Sequence, residues 1–272
     1  MKTPSRLFGA FFALWLGLAP FAVAQKDKEE ESDEPEVTLS DKEAKEKVDT
    51  IMKSIQGYKR DDFPVLELHF KKGKVQELGE LVHPYTAKTL RDMFLKEKDP
   101  ELRGLAAETL GKMRFDRKKN TAFFMQVLKK YKGDDDLFIA GCLRGIGHLG
   151  VIEAYEILPK YYGHASDRVF SAAVFAAGEL GDKKAIRTLI EMYHMNAGTK
   201  GVSVRVDTGT AGPGDQMAAQ RAGKSMQKKK RNDRQGAMAA IRKALKSLTG
   251  EDFQKAEEAD AWFAENKERL DL

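Results

Sequence analysis

The sequence predicts an all-α fold, a right-handed α-solenoid of about five helix pairs with a capping helix at each end and one long inserted loop. Three observations predict it. First, one spacing of apolar or small residues (i, i+3, i+4, i+7, i+8, i+11) occurs four times. It runs Leu102, Leu105, Ala106, Thr109, Leu110, Met113, and then Phe138, Gly141, Cys142, Gly145, Ile146, Leu149. It returns as Val169, Ala172, Ala173, Ala176, Ala177, Leu180, and as Ala237, Ala240, Ile241, Ala244, Leu245, Leu248. That spacing is one face of an α-helix over three turns, and its small middle slots let neighbouring helices approach closely. Second, another amphipathic segment follows each copy, such as Phe123, Phe124, Val127, Leu128, Tyr131 or Ile186, Leu189, Ile190, Tyr193. Third, the boundaries are punctuated. Asp99-Pro100 supplies a capping carboxylate and a proline at the first helical position, and Gly181-Asp182 ends one helix and caps the next.

Taken in chain order, residues 1–24 read as a secretory signal peptide: Lys2 and Arg6, an apolar run from Leu7 to Leu18, Pro20, and Ala22-Val23-Ala24 before a cleavage point at Gln25. No cysteine follows the apolar run, which excludes a lipoprotein anchor. The protein is then exported, periplasmic or extracellular. A single cysteine, Cys142, fits that destination and excludes an internal disulfide. Residues 25–40 are charged and poor in packing side chains, so they read as a disordered acidic linker. The folded part is 41–272. A helix near 41–57 (Val48, Ile51, Met52, Ile55) covers the start of the stack, and a degenerate first repeat occupies about 60–98. Pro159 should kink or shorten the segment from Val151 to Tyr162. Phe253, Trp262 and Phe263 cover the far end.

The third and fourth copies start twice as far apart as the others, and 199–231 carry no repeat pattern. After an alternation at Val202, Val204 and Val206 come a glycine-rich stretch and a basic run. Eight basic and two acidic residues make the segment +6. A loop this long is either functional or flexible filler. Its Arg221, Lys224, Lys228, Lys229, Lys230 and Arg231, with Arg234 beyond, are the candidate electrostatic binding residues.

The stretches DPELRGLAAETLGKM and SAAVFAAGELGDKKAIRTLIEMY resemble the short HEAT-like repeats of phycobilisome lyases, over about 85–196 and again over 232–248. The closing LTGEDF, Trp262-Phe263 and Asn266-Lys267 resemble the end of exported bacterial HEAT-repeat proteins. The resemblance implies the stacked-pair fold and leaves function open.

Catalytic and cofactor motifs fail on inspection. Ala218-x4-Gly223-Lys224-Ser225 loosely fits a phosphate loop but lacks the preceding buried strand. His69, His83, His148, His164 and His194 are scattered and read as surface residues, His148 in a slot that sister repeats fill with Lys112 and Glu179. Cys142 sits where sister repeats place Ala106 and Ala173, as a small buried residue. Tyr131, Tyr161, Tyr162 and Tyr193 read as core, with the concave surface as their alternative. No catalytic, metal or cofactor site is expected. The expected function is a non-enzymatic scaffold or binding module that holds a protein or peptide partner. The alternative is a polyanion-binding protein (anionic lipid, acidic polysaccharide or nucleic acid) acting through the basic insertion and nearby Arg242, Lys243 and Lys246. An enzyme of the lyase kind is the third reading, and no convergent acid–base set accompanies it.

Overall fold

Helix-starting chemistry recurs along the chain. In the computed structural model, which describes residues 35–197 and 235–270, Ser40 and Glu43 form a reciprocal capping box that opens α1 (Asp41–Gly57). α2 (Pro64–Glu80), α3 (Pro84–Lys96) and α4 (Pro100–Lys112) each begin on a proline, whose fixed φ suits the first turn. Asp99 accepts from the amides of Glu101 and Leu102, as its place before Pro100 predicts. α5 (Arg117–Lys130) and α6 (Asp136–Leu149) follow, α6 capped by Asp135 and ended by Gly150 at φ +64°. A 3-10 segment, Ile152–Tyr161, contains Pro159 and stands where a second helix was expected. α7 (Asp167–Leu180) ends at Gly181, and Asp182 accepts from the Lys184 amide ahead of α8 (Ala185–Ala197). A helix over 235–249, here α9, precedes α10 (Ala256–Asn266) and a short 3-10 turn, Lys267–Leu270.

No strand occurs among the described residues. The helices pack in series. α2, α4, α6 and α7 lie side by side in that order, and α9 continues the row, with Ser247 donating to the Gly178 carbonyl at 3.1 Å. The 3-10 segment and α3 and α5 pack behind this first-helix row. Each touches the helix that follows it or precedes it: α3 on α4, α5 on α6, and the 3-10 segment on α7. α1 packs on α2 and α3, burying Val48, Ile51 and Ile55 as the capping reading requires. One continuous apolar cluster runs from Val48 to Ala259. Phe253 is buried at the far end against Trp262, their rings edge to face at 6.1 Å.

Contact within the row is close because it is lined with glycine. A Cβ on Gly141 would lie 2.8 Å from the Gly104 Cα, one on Gly147 2.9 Å from the Ala176 Cα, and one on Gly178 2.9 Å from the Ala244 Cα. Gly104, Gly147 and Gly178 fall outside the repeated six-slot face. A middle helix in a row needs small residues on two flanks, one for each neighbour: Gly104, Gly147 and Gly178 meet Gly141, Ala176 and Ala244, small slots of the repeated face on the next helix.

The signal-peptide reading of 1–24, the linker before residue 35 and the insertion 199–231 lie outside the described residues. No helix among the described residues is long and apolar enough to cross a membrane.

Candidate functional site

The side chains at the sixth position after each repeat start are Glu108, Arg144, Phe175 and Lys243. In sequence they share a register but no common residue type. In the structure they form one line across α4, α6, α7 and α9, on the side of the row away from the second layer. Arg144 Nη1 lies 3.3 Å from Glu108 Oε2, and the Lys243 ammonium lies 5.9 Å from the centre of the Phe175 ring. A parallel line four positions on holds Lys112, His148, Glu179 and Ser247. His148 meets Phe175 edge to face at 5.0 Å. The Phe175 ring rests over Gly147, where a Cβ would sit 3.0 Å from its Cε1.

These lines wall a groove. One depression of about 570 Å³ spans α4, α6, α7 and α9, with Phe175, Ala240 and Ala244 as its apolar floor. A second, of about 400 Å³, spans α2, α4, α6 and α7 and reaches Lys72 and Arg168. Glu108 and Arg144 belong to both, so the two are continuous.

Glu108 is the electrostatic centre. Its carboxylate faces His148, with Nε2 3.9 Å from Oε1, and pairs with Lys112 at 2.6 Å as well as with Arg144. His148 first, then Lys112 and Arg144, hold its carboxyl down to about 2 against the cost of partial burial. A carboxylate held so low is ionised at neutral pH and is a poor proton donor there. It organises the cations around it.

The histidine expectation needs correction at one position, His83. His83 is buried, 4% exposed, because it caps α3: its Nδ1 accepts from the Tyr85 amide at 3.1 Å and its Nε2 lies 3.1 Å from Asp41. His148 is partly buried, in the groove. Its slot does face outward, as Lys112 and Glu179 suggested, but the surface it faces is concave enough to cover it. Cys142 is fully buried, and burial pushes its thiol pKa well up, which suits packing rather than nucleophilic attack. Tyr161 and Tyr193 are core residues, Tyr193 donating to the Gln254 carbonyl at 2.8 Å, and Tyr131 packs on Phe138 at 4.4 Å. Burial raises the Tyr162 hydroxyl as well. None of the four tyrosines lines the groove. No group of His, Cys, Asp and Glu that could hold a metal occurs among the described residues.

The candidate electrostatic residues Arg221, Lys224, Lys228, Lys229, Lys230, Arg231 and Arg234, and the phosphate-loop-like stretch, lie outside the described residues. The helical cations near them divide. Arg242 turns toward the segment before α10, bonded to Gln254 at 2.7 Å and Asp252 at 3.3 Å, Lys246 lines the groove and also reaches Asp252 at 3.4 Å, and Lys243 faces the groove. Sequence reading missed the line of Glu108, Arg144, Phe175 and Lys243. The signal was available as a register shared by all four copies, but the residue types in it differ, and a periodicity search scores only similarity.

No family model, curated protein or solved structure matches this chain.

Proposed function

We propose that the protein is a non-enzymatic, exported binding module of HEAT-like α-solenoid build, holding a protein or peptide partner in the groove along its first-helix row. The observation that carries this reading is the line Glu108, Arg144, Phe175 and Lys243, drawn from four neighbouring helices of the row into one continuous groove. An aromatic floor flanked by fixed charges is the composition of a binding surface, where a few buried anchors carry most of the affinity. Stacked helix pairs present such surfaces at length. Export rests on the charged start, apolar run and Ala22-Val23-Ala24 of the sequence.

A second reading, polyanion binding through the insertion, is favoured by the +6 charge confined to 199–231. The two separate in one experiment. The mature protein beginning at Gln25, its 199–231 deletion and its Phe175→Glu variant are each used to capture partners from the envelope extract of the producing cell. The groove reading expects the same partner on the mature protein and the deletion, and its loss on Phe175→Glu. Loss on the deletion alone, with steep weakening in salt, would transfer the function to the insertion.

A further inference from the structure

The groove's charge and spacing define what fits it. Six cations line its two parts: Lys72, Lys112, Arg144, Arg168, Lys243 and Lys246. Three glutamates accompany them, and two are already engaged, Glu101 by Lys72 and Glu108 by Lys112 and Arg144, while Lys246 also pairs with Asp252 at 3.4 Å. The surplus is positive. Its sign is set by exposed side chains, since Arg144, Arg168, Lys243 and Lys246 are all exposed. Between the cations of α6 and α9 sits the Phe175 ring, half-buried and bordered by Ala240 and Ala244. From Arg144 to Phe175 to Lys243 the line advances one helix at a time.

Packed helices stand roughly 8–10 Å apart, and a polyproline-II chain advances about 3.1 Å per residue with three residues per turn, so residues three apart share one face. One helix step therefore matches one turn, about three residues, of such a peptide. Resting on the groove reading above, we infer that the groove takes an extended, polyproline-II-like acidic segment of a protein partner: an apolar side chain seated on Phe175, with carboxylates about three residues to either side, one at Arg144 and one at Lys243. The arginine offers a planar fork to its carboxylate, and the lysine a flexible point charge. Only an apolar residue between them covers the Phe175 floor, which a uniformly charged chain leaves wet.

The test is fluorescence anisotropy of labelled twelve-residue peptides on the full mature chain. The probes are a peptide with Leu flanked by Glu three residues away on each side, its Gln-for-Glu counterpart, and a scramble with the glutamates adjacent to each other. A single-stranded oligonucleotide and phosphatidylglycerol vesicles serve as competitors. The spaced acidic peptide is expected to bind at least tenfold tighter than either control peptide. The Arg144→Gln/Lys243→Gln double variant should lose that preference, while Lys88→Gln on α3 should retain it. Thermal melts confirm that each variant folds. Equal binding of acidic and Gln peptides, abolished by Phe175→Glu, would overturn the acidic assignment and leave the groove reading standing. Binding of none of the peptides overturns the inference, and partner capture through Phe175 then decides the groove reading by itself. Tighter binding of the oligonucleotide or vesicles, lost on deleting 199–231, overturns both.

Discussion

Gly111 and Gly145 stand backbone to backbone between α4 and α6: a Cβ on Gly111 would lie 2.5 Å from the Gly145 carbonyl oxygen and 2.6 Å from its Cα. No side chain can yield there, so the helices themselves would have to part. Gly111→Ala is expected to lose about 2 kcal/mol, despite the better helix propensity of alanine, because overpacking at backbone contact outweighs it. Urea denaturation checks this. Gly73→Ala, with nothing within 4 Å of its Cβ, should be neutral or stabilising.

His83 ties α3 to α1 through its cap and its contact with Asp41. His83→Ala removes the cap from a buried site and is expected to cost about 1–2 kcal/mol. His83→Asn, whose side chain caps well, should recover most of the loss in the same denaturation series.

Glu108 makes stability depend on acid. Its carboxyl is lowered from 4.5 to about 2 in the folded chain, so the unfolded chain binds its proton first as pH falls. The stabilisation is complete above about pH 4.5 and is lost as pH drops toward about 2. The side chain keeps 20% exposure, which limits the contribution to the order of 2 kcal/mol. Denaturation midpoints from pH 2 to 6 should climb more steeply for the native chain than for Glu108→Gln. Parallel curves would show that His148, Lys112 and Arg144 do not hold it.

Cys142 reacts only when the core opens. It is fully buried with its thiol pKa raised, so a thiol-reactive chromogenic disulfide should modify it at the rate of unfolding in water and at once in denaturant. Rapid modification of the native protein would mean that α6 is not packed on both sides.

Much of the fold was legible. The six-slot face located α4, α6, α7 and α9, Asp99-Pro100 and Gly181-Asp182 marked real boundaries, and Pro159 fell in a segment that is 3-10 rather than α. Each of these is a local effect: helical periodicity, a capping carboxylate, a missing amide. His83 was misread for the converse reason. Its burial depends on Asp41, 42 residues away, and no local pattern reports such a contact.

The sequence by itself determined which residues turn inward, because burial of an apolar face repeats with the helix and leaves a periodic trace in Leu102, Phe138, Val169 and Ala237. Only the tertiary structure decided what the outward residues do together. Glu108, Arg144, Phe175 and Lys243 lie 31 to 68 residues apart from one to the next, and they meet because glycines such as Gly111, Gly145 and Gly178 let the helices that carry them stand in contact. A groove is a property of the set of side chains across helices. It leaves no repetition along the chain, since each position contributes a different charge or ring to one surface.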